Sequence, residues 1–239
     1  MSAVQESQAN PLPQPEWLSY LQQEEWGVFC EMLRRAHDAE LEMLLGGGLA
    51  LSAYTPLRRW TKDLDFYIRP GDRDRAVALL NEAGFADYYD QLPYDRSWIY
   101  RGFREGVIVD IIWSFANHLT EVDEEWFIHS RRISFDGFDL RIMPPEELTW
   151  PKLFVFQRER CDWPDLLNLL YYAGPDLNWP RLRSRLGPDE PLLEGLLTVF
   201  HWLCPAHLLE HRDVECQAKR VKLLDSRDWF LPQFTPSAP

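Results

Sequence analysis

No two cysteines in this sequence have the C-x-x-C spacing of a zinc knuckle or a redox motif; the four present, Cys30, Cys161, Cys204 and Cys216, are scattered along the chain. A disulfide framework and a cysteine metal site are therefore excluded as organising devices, and reduced thiols are expected. Long apolar runs are missing too, and none approaches the roughly 18 to 20 residues needed to cross a bilayer. The N-terminal stretch MSAVQESQANPLPQPEW has no basic segment leading into an apolar one, so a soluble, cytoplasmic protein with no membrane partner is expected. Positive charge is in deficit: 25 Lys and Arg stand against 38 Asp and Glu, a net charge of −13. That argues against nonspecific coating of nucleic acid, which is driven by excess cations on phosphate. Lysine is the scarcest cation, with Lys62, Lys152, Lys219 and Lys222 against 21 arginines. In so arginine-biased a chain a lysine is the less expected choice, which draws attention to Lys62 and Lys152. Glycine is also sparse, at 12 residues, yet three stand together at Gly46-Gly47-Gly48.

What is present is enough to fold. Hydrophobic residues make up 46% of the 239, sufficient for one large domain or two small ones. Residues 1–15 and 230–239 are polar and proline-rich and are expected to be a disordered N-terminus and a flexible tail. Between them the pattern changes once. From 16 to 143 it alternates: a helix over Trp17–Ala36, a short strand over Glu40–Leu45, a helix opening at Leu49, and a strand over Leu64–Ile68. A helix over Asp72–Ala83 follows, then strands at Phe85–Gln91, Ser97–Phe103 and Val107–Trp113, and a hairpin over 131–142 turning at Asp136-Gly137. From 144 to 229 the pattern is helical, with segments at 146–160, 162–173, 179–186 and 189–203 that each begin near Pro, Asp or Glu. The expected class is α+β: a mixed β-sheet with flanking helices, followed by a C-terminal helical bundle.

Ordering three glycines and burying paired carboxylates both cost free energy, and the segment LLGGGLALSAYTPLRRWTKDLDFYI does both. Read as a strand, Thr61–Ile68 turns Leu64, Phe66 and Ile68 to one face and Asp63 and Asp65 to the other, with the two carboxylates roughly 6 to 7 Å apart. Two acids so placed suit divalent cations that clamp a phosphoryl group during in-line displacement. Asp110, in the apolar strand GVIVDIIWSF, shares its face with Ile108 and Ile112 and needs a partner there. It either joins Asp63 and Asp65 or pairs with one of the many arginines. The glycines at a strand-to-helix junction let backbone N–H groups approach phosphate oxygens at the start of a helix. No GK[ST] follows them, so this is not a Walker loop.

These elements, Gly47-Gly48-Leu49-Ala50-Leu51, then Arg59 with Thr61-Lys62-Asp63-Leu64-Asp65-Phe66, then Asp110 on a later strand, resemble the nucleotidyltransferase superfamily that includes DNA polymerase β. Within it they look closest to the compact bacterial AbiEii-type abortive-infection toxins, which carry a Lys followed by an R-x-x-D-x-x-D-like run in their helical part. Lys152, Arg160, Asp162 and Asp165 correspond to that run, and the resemblance covers roughly residues 40 to 170. It implies transfer of a nucleoside monophosphate from an NTP to an acceptor hydroxyl with release of pyrophosphate. Asp63, Asp65 and Asp110 would then hold Mg²⁺, with Mn²⁺ as the alternative, while Gly47, Gly48, Arg59, Thr61, Lys62 and Lys152 serve the nucleotide. The superfamily often has Ser at the second glycine position; here Gly48 stands there, and Ser52, one turn on, is the expected substitute. The acceptor is a small molecule, a protein or a tRNA, and an antitoxin partner protein comes with the toxin resemblance. The alternative function is a catalytically silent module of the same fold that binds a nucleotide or a partner.

Blander roles compete at several positions. Lys152 suits an amphipathic helix and Arg59 a solvated loop. Asp162 suits a helix cap ahead of Trp163-Pro164, which is the expectation adopted here. His201, His207 and His211 lack an HExxH pattern and are interrupted by Pro205, so no zinc site is expected.

Overall fold

A computed structural model describes residues 15–56, 61–135 and 138–205. The expected termini, Arg59, the turn at Asp136-Gly137, and His207 and His211 lie outside the described residues. Among the described residues, seven strands form one sheet in the order β3-β4-β5-β2-β1-β7-β6, with β1 Leu44–Leu45, β2 Asp63–Tyr67, β3 Ala86–Asp87, β4 Ile99–Arg104, β5 Val107–Ile112, β6 Arg131–Phe135 and β7 Phe138–Ile142. β2 runs parallel to β5, and β1 parallel to β7; the other pairs are antiparallel. The helices are α1 Gln23–Asp38, α2 Gly47–Tyr54, α3 Arg73–Glu82, α4 Glu124–Ile128, α5 Pro145–Leu153, α6 Trp163–Ala173, α7 Trp179–Leu186 and α8 Glu190–Leu203. This is the expected mixed sheet with flanking helices and a helical C-terminal half.

The periodicities explain the layers. Along β2, Leu64 and Phe66, with Ile68 just beyond, are fully buried at 2%, 0% and 0% exposure, while Asp63 and Asp65 turn to the opposite face. β1 is only two residues long but central, and both of its leucines are completely buried. α1 packs Trp26, Phe29, Met32, Leu33 and Ala36 inward at helical spacing, and the Gln22 N–H donates to the Glu25 carboxylate at 2.7 Å to close its first turn. One apolar cluster runs from Leu18 to Cys204 and takes residues from sheet and C-terminal helices alike.

Several expectations need correction, and one helix is new. Trp17–Ala36 is not one helix: a 3₁₀ turn at Glu16–Leu18 precedes α1. The strand at Phe85–Gln91 shrinks to β3, because the Asp87 carboxylate accepts the Tyr89 N–H at 2.9 Å and folds the chain into a 3₁₀ turn. α4 was not anticipated; Asp123 caps it by accepting the Glu125 N–H at 3.0 Å. The helix over 146–160 ends at Leu153, beyond Pro151, and the chain doubles back through a bridge between Phe156 and Cys161. That reversal matters, because it returns Arg160 and Asp162 to the side of Lys152.

Candidate active site

Parallel pairing of β2 with β5 sets Asp65 directly opposite Asp110. Because Asp63 shares a face with Asp65, three carboxylates meet, and one oxygen from each lies within 4.8 Å of the others. Antiparallel pairing of β4 with β5 then sets Arg101 opposite Asp110 on its other side. Arg101 donates through Nε to Asp110 Oδ1 at 2.7 Å and through Nη2 to Oδ2 at 2.5 Å, and the same Nη2 reaches Asp63 Oδ2 at 3.5 Å. Both sequence-based readings of Asp110 therefore hold together: it joins the acids and it pairs with an arginine. Thr61 donates its hydroxyl to Asp63 Oδ1 at 2.7 Å, which fixes the rotamer of that carboxylate.

Asp65 differs from its neighbours, since among the described residues it makes no ion pair within 4.0 Å. Burial, then the charges of Asp63 and Asp110, push its carboxyl well above the usual carboxylate range, against the opposing pull of Lys152 and Arg101. Burial also raises Asp110, partly offset by Arg101. An all-oxygen set of three crowded carboxylates suits a hard dication, which would remove the mutual repulsion that adds to burial in these shifts.

The glycine turn is built around Asp65. Gly47 has φ +57°, and a Cβ there would sit 1.7 Å from Asp65 Oδ2; at Gly46 a Cβ would meet the Tyr67 ring at 2.1 Å. Only glycine lets the start of α2 lie against this acid. Gly47 and Gly48 open α2 and line a cavity of about 570 Å³ together with Thr61, Lys62, the three acids, Arg101, Lys152 and Arg160. An apolar wall that includes Trp98, Ile112, Phe115 and Leu148 completes it. Ser52 is placed differently from expectation: it is buried, donates its hydroxyl to the Gly48 carbonyl at 3.1 Å, lies 3.1 Å from the Tyr20 hydroxyl, and is not in the cavity lining. Lys62 is exposed at the cavity rim.

From the helical half, Lys152 is buried and donates to Asp162 Oδ2 at 2.7 Å and Asp165 Oδ2 at 2.9 Å. Arg160 holds both oxygens of Asp162 at 3.1 Å. Burial alone would raise the Asp162 carboxyl, but Lys152 and Arg160 outweigh it and bring it down to about 2. This corrects the cap expectation: Asp162 occupies the residue before α6, yet its side chain makes no capping hydrogen bond. His201 sits at the far end of α8 against Phe200. Sequence reasoning missed Arg101. Its signal was available, a lone arginine in the apolar strand SWIYRGF, mirroring the lone acid of the next strand.

A family model described as an uncharacterised nucleotidyltransferase matches residues 31–204, and the chain belongs to that family. No curated protein sequence matches. Among solved structures, the antibiotic-resistance factor ANT(2'')-Ia is similar at 16% identity, covering 87% of this chain and 94% of its own, with a TM-score of 0.41. JHP933 from Helicobacter pylori is similar at 16% identity, with 89% and 95% covered and a TM-score of 0.42. The lincosamide antibiotic adenylyltransferase LnuA, solved with lincomycin, gives 11%, 75% and 98%, and 0.39.

Proposed function

We propose that this nucleotidyltransferase is an active, Mg²⁺-dependent enzyme that moves a nucleoside monophosphate from an NTP to an acceptor hydroxyl and releases pyrophosphate. The observation that carries the reading is the meeting of Asp63, Asp65 and Asp110 within 4.8 Å beside the Gly47-Gly48 turn. Bound there, the metal would supply Lewis-acid polarisation of the phosphate and stabilise charge on attacking and leaving oxygens. Asp63 and Asp65, held in register by β2 and by Thr61, would be its ligands, with Asp110 as the third. The backbone N–H groups that begin α2, at Gly47 and Gly48 in the cavity lining, would take phosphate oxygens. Asp110, the acid flanked by Arg101, would accept the proton of the acceptor hydroxyl as the bond to phosphorus forms. The helical half, from residue 144 on, would close over the nucleotide, with Lys152 exchanging part of its contact with Asp162 and Asp165 for phosphate.

The acidic chain favours a small-molecule or protein hydroxyl over a long nucleic acid as acceptor. Incubation with each α-labelled NTP, Mg²⁺ and cell extract, followed by identification of the labelled species, tests the reading; labelling must stop with EDTA and with Asp63→Asn. The second reading, a silent binding module, draws on the Arg101 grip on Asp110, and bound but untransferred nucleotide would favour it. Expression toxicity that Asp63→Asn relieves would add the toxin role and its partner protein.

A further inference from the structure

Arg101 is not explained by nucleotide chemistry, and it lies where a metal ligand set should be open. Both of its prongs engage Asp110, at 2.7 and 2.5 Å, and Nη2 extends to Asp63 at 3.5 Å, so the guanidinium spans two of the three carboxylates. The side chain is 29% exposed and the Asp110 side chain 2%, which places the cation at the mouth and the acid at the floor. The pair is set by backbone register and not by a flexible loop, since residues 101 and 110 face each other across β4 and β5.

We propose that Arg101 is a built-in counter-ion for the metal site: it positions Asp110 and keeps the nucleotide-free protein a weak metal binder, so that the dication is taken up with the triphosphate. This rests on the metal reading given above. Two physical effects combine. The guanidinium uses both oxygens that Asp110 would offer, in the planar two-pronged geometry peculiar to arginine. Its charge also repels a dication held among oxygens that all lie within 4.8 Å of one another. Even with water-like screening, repulsion at a few ångström is worth on the order of a tenfold loss in metal affinity. An incoming triphosphate brings the negative charge that restores the balance.

The test uses the full chain, stripped with EDTA and titrated with Mn²⁺ alone while the spectroscopic signal of unbound Mn²⁺ is followed. Arg101→Gln, which removes the charge but keeps a hydrogen-bond donor for Asp110, is expected to bind Mn²⁺ about tenfold more tightly than the parent. Arg101→Lys, which keeps the charge but loses the fork, is expected to bind about two- to threefold more tightly, and it decides the matter if the glutamine variant does not fold by circular dichroism. Unchanged or weaker Mn²⁺ binding in the folded variants overturns the proposal, because a purely structural ion pair would not restrain metal uptake. Failure of the metal reading looks different: Mn²⁺ binding would be absent from parent and variants alike, or would survive Asp63→Asn and Asp65→Asn together.

Discussion

Replacing Asp65 with Asn should stabilise the metal-free protein, and the structure sets the scale. Asp65 has two like-charged neighbours with oxygens within 4.8 Å and makes no ion pair among the described residues. Coulomb repulsion at that distance is about 3 to 4 kcal/mol per neighbour at an effective dielectric of about 20, and roughly 1 kcal/mol in water. Lys152 and Arg101 offset part of this, so a net gain of about 1 to 3 kcal/mol is expected, or roughly 3 to 10 °C in Tm for a chain of this size. The sign with pH follows from linkage. The Asp65 carboxyl is raised in the folded state, so the folded protein keeps a proton that the unfolded chain releases; that contribution is present below the unfolded value and is lost as pH rises through the folded one. Asparagine mimics the protonated acid, so the variant should match the parent near pH 4 and exceed it increasingly toward pH 8. Thermal unfolding in EDTA from pH 5 to 8 measures this, and in a repeat without EDTA, Mg²⁺ and NTP together should stabilise the parent more than the variant. A lower Tm for Asp65→Asn at pH 8 without metal, or a difference that does not vary with pH, would refute the reasoning.

Three further outcomes follow from the same geometry. Lys152→Ala should abolish or strongly weaken NTP turnover and also cost about 2 to 4 kcal/mol in urea unfolding, because it strips a buried cation from Asp162 and Asp165; Lys152→Arg should recover only part of either, and an unchanged unfolding midpoint would contradict the ion-pair reading. Asp162→Asn should cost about 2 kcal/mol at pH 7, and since the folded value is depressed to about 2, that difference should fade as pH drops from about 4 toward 2; denaturation curves at pH 7 and pH 3 that differ equally would count against it. Gly47→Ala should eliminate transfer, measured with labelled NTP, because its Cβ would sit 1.7 Å from Asp65 Oδ2 at a backbone φ of +57°; near-parental activity would mean the turn does not hold this shape.

How much of this was legible beforehand depended on how local the cause was. The shared face of Asp63 and Asp65 follows from strand periodicity alone, and β2 has it. Asp110 was readable as an acid needing a partner, because an isolated carboxylate in GVIVDIIWSF is costly whatever surrounds it. Which partner it has was not readable, since the answer depends on strand order: β5 lies between β2 and β4, so Asp110 faces Asp65 on one side and Arg101 on the other. The Asp162 error has a similar origin. A residue before Trp163-Pro164 looks like a cap from its neighbours, but Lys152, brought close by the chain reversal after Leu153, is a charged partner that a backbone N–H does not match. Ser52 was assigned by counting one helical turn from Gly48, and that count is correct; it is the reason its hydroxyl reaches the Gly48 carbonyl and not the cavity.

The charges around the cavity form two paired sets and one exception. Asp162 and Asp165 are met by Lys152, with Arg160 also on Asp162, while Asp110 is met by Arg101, which extends to Asp63. Of the four acids that line the cavity, Asp65 is the one that makes no ion pair with a described residue, and it is the acid against which the glycine turn is packed. A fold selected only for stability would relieve that charge with an arginine, of which this chain has 21, or replace it with an apolar residue. Instead glycine is required at position 47, at a positive φ, to let a helix N-terminus approach it. The close packing and the lack of an ion pair are therefore concentrated at one carboxylate, where a dication, if bound, would remove both the repulsion and the need for a proton. Lys152 and Arg101 are each already engaged with carboxylates, so that on the proposed reading incoming phosphate and metal would exchange partners within an existing network and would not have to order one from solvent.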